Sequence, residues 1–426
     1  MMWIKWRIAV LFCIVNALLL TGCGQKTASE PVQETEEEVV VPVVFRVDPE
    51  TNLSDNEQFV EDYNEAFAGQ YRMEAEWLTE SDSGYRSKLK QWNVLDQMPV
   101  LITDAGFDYD LYRILAENDR LVDLRPWMES SDFWMDAMNP DVLEDITEED
   151  GSIYLAPLGS NIHTYAGIIY NEELLQSVGY DSFPETWEEF FTCLKKLKAA
   201  GITPLSLHGS GSYWAPMLIA TAYLMSTEEG SDFLYTGFPD SYDNEAVRDM
   251  LLMLKELFEY TYEDALSIDF DQAAERFQNG EAAIIANGKW MFDSMTSENL
   301  QTMRFARFPG NVLMNSPRMA AWAVTTGYSE EITEGAAKAL EFRIQCEQED
   351  MQKLIDGGAS NPLEASYVET VQMEHTVMPN YQLQWEQEIQ NEFFTEYLAM
   401  YLQGEITVDN FILMMDQRVN VIQNRK

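Results

Sequence analysis

Residues 39–47 read Val-Val-Val-Pro-Val-Val-Phe-Arg-Val, an apolar run interrupted by Pro42. Its length and composition are those of a buried strand. Just downstream, Ser54 and Glu57 stand at the spacing of a capping box. The helix they open carries Phe59, Tyr63 and Phe67 on one face. Met73, Ala75 and Trp77 alternate as a second strand, and Tyr85, Leu89 and Trp92 mark a second helix. Pro99 to Thr103 reads as a short buried strand, Leu111 to Leu115 as part of a further helix, and Leu121-Val122-Asp123-Leu124 closes the unit. Strand and helix alternate throughout, which predicts an α/β fold with mostly parallel strands.

Around Gly151 the pattern resets. Glu148 to Gly151 is a turn, Ile153 to Leu158 a short extended stretch, and Ala166 to Tyr170 a strand. Thr186 and Glu189 form a second capping box, opening a helix with Trp187, Phe190, Phe191, Leu194 and Leu197 that ends at Gly201. Strands are expected at Ile202–Leu207, Glu281–Ala286, Met303–Phe308 and Ala320–Thr326, and helices at 214–225 and 244–260. A helix follows to about Gln345, and roughly the last 70 residues read as helical by periodicity. There is no internal repeat.

Upstream of residue 39 the chain changes character. Lys5 and Arg7 are the only charges before an apolar run from Ile8 to Leu20, broken only by Asn16. A charged start and a run of this length make a signal peptide. The run is shorter than the ~20 apolar residues that a membrane span needs. Leu20-Thr21-Gly22-Cys23 resembles the lipobox of bacterial lipoproteins. The resemblance implies removal of residues 1–22 as a signal peptide and lipidation, with palmitate among the acyl chains, of the Cys23 thiol. Two or more acyl chains on one residue anchor stably where one would not. Residues 23–41 are polar and acidic, include Glu36-Glu37-Glu38 and have no aromatic residue, so they read as a disordered acidic linker.

Without the signal about 400 residues remain, enough for two domains. The formal net charge of −46 argues against nucleic acid and anionic substrates, which it would repel. It suits a neutral or cationic ligand, or simply a hydrated surface. The 11 Trp and 20 Tyr supply core and also suit flat apolar ligand faces. Cys13 leaves with the signal. Cys193 and Cys346 lie far apart in helical patterns, as two buried free thiols or, alternatively, one disulfide. His163, His208 and His375 show no metal-ligand spacing, and there is no GxSxG, P-loop or GxGxxG. Ser87 and Lys90 match SxxK without its companion motifs and read as a helix surface. Carboxylate pairs are too abundant here to point to a glycosidase. No catalytic residue, metal or cofactor is expected.

Several short motifs then line up in one order. Pro99-Val100-Leu101-Ile102 precedes Leu121-Val122-Asp123-Leu124, and Gly151 to Pro157 matches G-x-x-Y-x-x-P. Ile169-Tyr170-Asn171-Glu172-Glu173-Leu174-Leu175 and Pro184-Glu185-Thr186-Trp187-Glu188-Glu189-Phe190 follow. Then come Gly201-Ile202-Thr203-Pro204-Leu205, Phe277 to Ala283, and Asn287-Gly288-Lys289-Trp290. Together they resemble family 1 extracellular solute-binding proteins, the maltose-binding-protein-like sugar receptors of bacterial ABC importers. The resemblance runs from about residue 42 to the end. The sequence departs from it at Val100, where Asp is usual after Pro, and at Glu172, where Lys is usual after Asn.

The resemblance implies a two-lobe, type II periplasmic-binding-protein-like fold, each lobe a mostly parallel sheet flanked by helices, with a helical C-terminus. Lobe 1 would comprise 42–154 and 318–355, and lobe 2 would comprise 155–317 and 356–426. The hinge crossings would lie near 154–157 and 316–321. The implied function is capture of a carbohydrate by a monomeric, lipid-anchored receptor that hands it to ABC permease subunits, on a Gram-positive surface rather than in a periplasm. A glycoside-active or adhesive surface lipoprotein is the alternative.

Ligands of open α/β sheets sit beyond the carboxyl ends of strands. That rule selects Asp48 after the first strand, and Asp104 and Phe107 after Ile102. It selects Ser160, Asn161 and His163 after Pro157, and His208, Tyr213 and Trp214 after Leu207. Trp290 follows the strand ending near Ala286, and Asn361 re-enters late. A sugar has an apolar C–H face suited to indole and phenol rings, and an edge of hydroxyls suited to Asp, Asn and His. Leaving a hydroxyl unpaired on burial would cost ~1–3 kcal/mol. Trp290 leads the expected contacts, with Trp214, Asp104, Asp48, Asn161, His163, Tyr213 and Asn361 behind it. Trp322, inside a strand, is expected to be core.

Overall fold

A computed structural model describes residues 38–47, 54–80, 82–106, 108–158, 165–236, 241–384, 389–390 and 396–424. All lie in one compact body spanning Glu38–Lys426. Two sheets organise it. The first has the order β2-β1-β3-β9, with β1 Val39–Val47, β2 Tyr71–Thr79, β3 Leu101–Ile102 and β9 Ala323–Val324. The apolar run that opens the fold is β1. It pairs in parallel with β2 from Val39 opposite Tyr71 to Val47 opposite Thr79, and with β3 at Val43 opposite Leu101. Val39 to Val41, placed in the linker by a boundary at 42, are thus the first rungs of β1.

The second sheet has the order β10-β8-β4-β6-β5, with β7 also on β4. Its strands are β4 Ala166–Asn171, β5 Thr203–Leu205, β6 Ala282–Gly288, β7 Met303–Ala306, β8 Val312–Met314 and β10 Thr376–Met378. Here the expected mostly parallel arrangement is corrected. β4 runs antiparallel to β6, β7 and β8; only β5 with β6 and β8 with β10 are parallel. The reason lies in how the chain arrives. The strand preceding β4 and the strand preceding β9 each lie in the other sheet, so no strand–helix–strand crossover within one sheet fixes their direction. β9 is accordingly antiparallel to β3.

The helices follow their patterns. Phe59 and Tyr63 sit in Ser54–Ala66, with Phe67 just beyond its end, and Tyr85, Leu89 and Trp92 sit in Asp82–Leu95. Thr186 caps Trp187–Ala199, its hydroxyl accepting from the Glu189 N–H at 3.2 Å. Two differences stand out. The strands expected at Pro99–Thr103 and Ala320–Thr326 shrink to two residues each, their neighbours making isolated bonds such as Thr325 N–H to the Val100 carbonyl at 2.8 Å. β10 forms inside the stretch expected to be helical, because Thr376 and Val377 find an open edge on β8.

Buried side chains sort by sheet. One core joins residues between Val41 and Ala156 to those from Ala321 to Ile344. Two others take residues from Tyr165 to Met314 together with the C-terminal helices. The chain passes between the sheets at Ala156 and Trp322, which bridge each other: Ala156 N–H donates to the Trp322 carbonyl at 2.8 Å and Trp322 N–H to the Ala156 carbonyl at 3.0 Å. Trp322 is 7% exposed and packs on Phe45 and Phe59 as a core residue. Cys193 and Cys346 are both free thiols. Cys193 is buried, which pushes its thiol up to about 12, whereas Cys346 is only half-buried, correcting the expectation of two buried thiols. No helix among the described residues is long and apolar enough to cross a membrane.

Candidate functional site

The carboxyl ends of β5 and β6 point the same way, because the two strands are parallel neighbours, with β6 running on to Gly288 past the end of β5. They also lie beside the incoming crossing, since Gly288 pairs with Ala166 and Lys289 N–H donates to the Tyr165 carbonyl at 3.2 Å. After β6 the chain turns into the short helix Lys289–Ser294, which presents Trp290 with 48% of its surface exposed. Gly288 makes this possible. A Cβ there would stand 2.1 Å from the Trp290 ring, so only glycine lets the indole lie against the backbone. Asn287, fully buried, sets the turn: its Oδ1 accepts from Gly288 N–H and its Nδ2 approaches the Met291 sulfur, both at 2.8 Å.

After β5, residues 206–213 lead into the helix Trp214–Leu224. That helix is buried along almost its whole length, which fixes its first residue, Trp214, at the surface of the core. The Trp214 carbonyl accepts from Asn380 Nδ2 at 3.0 Å. The Trp214 ring lies 6.2 Å from Trp290 and 4.8 Å from Phe270 between centroids, tilted by 48° and 50°. His208 closes the cluster, 5.6 Å from Phe270 edge to face and 6.3 Å from Trp214. These spacings are those of interacting aromatic pairs.

His208 is 1% exposed, its ring enclosed beside Phe270 and Trp214. Burial lowers its pKa to about 4, opposed by the Ser212 backbone and the Asp269 charge, so the ring is neutral at pH 7. Tyr213 takes a different place from the one its neighbours suggest. At 1% exposure it lies in the core behind Trp214, beside Phe258, and burial pushes its phenol up to about 12.

The first sheet contributes Asp104, directly after β3. Its backbone is left-handed at φ 49°, and its carboxylate pairs with the Arg46 Nε at 3.3 Å, the two side chains 29% and 20% exposed. The turn it belongs to leans on the second crossing: Ala105 N–H donates to the Ala321 carbonyl at 2.8 Å. A Cβ on Gly106 would stand 2.0 Å from the Arg318 carbonyl oxygen, so glycine is required for that approach. Asn361 caps the helix Pro362–Gln372, its Oδ1 accepting from Glu364 N–H at 2.9 Å. Glu364 reaches Lys289 at 3.9 Å, which ties this late segment to the turn carrying Trp290. Asp48, Phe107, Ser160, Asn161, His163 and Cys23 lie outside the described residues.

Trp290 therefore stands at the end of β6 and Asp104 just beyond β3, each next to a crossing, while Trp214 joins Trp290 in one cluster from the start of its helix. Phe270 and Arg46 were not singled out by sequence. Phe270 opens the helix Phe270–Gln278 behind an Asp269 capping box, and that box was its only signal. A cavity of about 450 Å³ opens at the far end of the second sheet, around Tyr170, Phe183 and Arg304. It holds none of the candidate residues but one neighbour of Asn361, and within it Arg304 pairs with Glu172 at 2.6 Å. Among the described residues no group of three or more His, Cys, Asp or Glu could hold a metal ion.

Two sheets joined by paired crossings are the architecture of the two-lobe, type II solute-binding class. A family model for bacterial extracellular solute-binding proteins matches residues 58–376, and the chain belongs to that family. A probable sugar-binding periplasmic protein of Rhizobium meliloti strain 1021 is 26% identical over 200 residues, 45% of this chain and 47% of that one. The matched stretch thus spans about half the length of that curated relative. Among solved structures, a chitin oligosaccharide binding protein aligns over 89% of this chain and 98% of its own, with TM-score 0.67 and 19% identity. A Streptococcus pneumoniae solute-binding protein, solved with the blood group A-trisaccharide, aligns over 89% and 99%, with TM-score 0.71 and 16% identity. At these identities the likeness speaks for the fold.

Proposed function

We propose that this chain is the receptor of an ABC importer, which takes a mono- or oligosaccharide between its lobes and delivers it to membrane permease subunits. The observation that carries the reading is the half-exposed Trp290, seated on Gly288 beside the crossing and grouped with Trp214. An exposed indole costs free energy in water unless something apolar covers it. The C–H face of a sugar fits, and the strong acidity of the chain disfavours an anionic alternative. The sugar-binding names and ligands of the similar proteins support the same substrate class.

In this reading Trp290 and Trp214 stack on the ligand while Asp104, Asp48, Asn161 and His163 meet its hydroxyls. Tyr213 supports Trp214 from behind, and Asn361 sets the segment next to Trp290. Lobe 1 spans 42–154 with 318–355, and lobe 2 spans 155–317 with 356–426; the separation of the cores supports two lobes, with Leu155 and Ala156, at the hinge, buried in the first. The chain acts by binding, without catalysis, as a monomer. Residues 1–22 are a signal peptide, and acyl chains on Cys23 hold the receptor outside a Gram-positive membrane on its acidic linker. Nearness to the permease then comes from the tether and not from affinity in solution.

Calorimetric titration against a panel of neutral mono- and oligosaccharides tests the proposal. Saturable binding without turnover is expected. Hydrolysis of any glycoside, or no binding across the panel, would overturn it.

A further inference from the structure

The crossings are held by more than their own bridge. The helix Glu330–Lys353 lies against the first sheet and sends Arg343 onto the same spot. Its guanidinium donates from Nη1 to the Ala156 carbonyl at 3.2 Å and from Nη2 to the Ala320 carbonyl at 3.4 Å. Its central carbon stands 4.3 Å over the Trp322 ring. The Ala156 carbonyl also accepts from Trp322 N–H, so both of its lone pairs are used. One side chain thus grips the first crossing through a carbonyl, and the second through another carbonyl and an indole face. Charge-assisted bonds are stronger than neutral ones, and a planar fork can serve two acceptors at fixed spacing. Burial lowers the Arg343 pKa to about 10, while the charges of Glu347 and Asp104 pull it back up. Asp104 is a proposed ligand residue, so the grip on the crossings and the binding site share an electrostatic neighbour.

We propose that Arg343 is a positioning residue for ligand capture: it clamps the two crossings together and narrows the range of lobe-to-lobe angles from which the ligand is taken. The inference rests on reading Ala156 and Trp322 as the hinge of a sugar receptor. A chain already restricted near the binding geometry loses less freedom when the ligand orders it. Removing the clamp should widen the range and weaken binding without touching a ligand contact.

Arg343→Met keeps the stem and removes the fork. Hydrogen exchange of the ligand-free protein is read on peptides covering Ala156 and Trp322, with β1 and β6 as controls. Exchange at the crossings should rise about tenfold or more while the controls hold. Affinity for a sugar found in the panel should fall roughly five- to fiftyfold through lost preorganisation. Arg343→Lys, which reaches one acceptor at a time, should show the same pattern at smaller amplitude, and it decides the matter if the Met variant does not fold. Unchanged exchange at the crossings, or an equal rise across both lobes, would overturn the clamp. If no sugar binds, the receptor reading fails, while the ligand-free exchange still judges Arg343.

Discussion

Both lobes gather aromatic rings, and they use them in opposite ways. Beside the first sheet, Phe45 stacks on Trp77 at 5.1 Å and meets Trp322 at 5.4 Å, with Phe59 on the other edge of Trp322 at 5.5 Å. Beside the second, Trp214 meets Phe270 at 4.8 Å and Trp290 at 6.2 Å. The spacings are alike, so ring proximity does not distinguish scaffold from site. Exposure does: Trp322 is 7% exposed and Trp290 is 48%. The first cluster closes a core at the crossing, and the second offers a face. What the first lobe places beside its crossing is instead a polar group, the Asp104–Arg46 pair.

The largest expected effect separates the two clusters by what they stabilise. Trp322→Ala should destabilise the protein by about 3–5 kcal/mol, the usual result of emptying a buried indole site. Trp290→Ala should cost less, about 1–2 kcal/mol, since about half of the side chain is already in water. It should nonetheless weaken sugar binding more than about tenfold, since stacking and desolvation are both lost. Urea unfolding and calorimetric titration of both variants provide the check. A Trp322 variant as stable as the parent, or a Trp290 variant of unchanged affinity, would break the contrast.

The ring cluster of the second lobe also carries a buried imidazole, which the first cluster lacks. His208 is held neutral by burial, with its pKa near 4 in the folded chain against 6.5 for an ordinary histidine. Between those values the unfolded chain binds a proton that the folded chain refuses. Stability from this group is therefore complete above pH 6.5 and is lost as pH falls from there through about 4. The loss amounts to about 3 kcal/mol at most. His208→Asn should show a shallower decline over that range in denaturant unfolding. Carboxylates titrating there act on both proteins and cancel in the difference. Parallel pH profiles would mean that the His208 ring is solvated in the folded chain.

Much of this was legible in the sequence, for reasons that also explain what was not. β1 was readable because nine residues of one pattern leave little choice, and Thr186 because a cap is a local device. β8 and β10 were missed: three residues carry no period, and each forms only because the other supplies an edge. The direction of β4 was misjudged because it depends on where the chain enters the sheet, which no window of sequence records. The place of Trp290, in a turn from strand to helix, was legible from Asn287-Gly288. The burial of Tyr213 was not, since Trp214 is the very next residue and only the packing of the helix it opens decides which ring faces inward. Phe270 and Arg343 come from elements distant in sequence, and only folding brings them to the rings and the crossings.

The smallest effect tests the polar side of the comparison. Asp104 stands at φ 49°, a conformation that Asn also tolerates, so Asp104→Asn changes the charge without straining the turn. Its pair with Arg46 is partly solvated on both sides, at 29% and 20% exposure. A pair of that kind contributes under about 1 kcal/mol, and less in high salt. Unfolding of Asp104→Asn should therefore stay within about 1 kcal/mol of the parent. A hydroxyl bound to a carboxylate gains more than one bound to an amide oxygen, so sugar affinity should fall roughly fivefold. A stability loss well beyond that range with affinity intact would make Asp104 a strut of the first lobe. The first lobe would then hold its charges as it holds its rings, for its own architecture, and the ligand would take its polar contacts elsewhere.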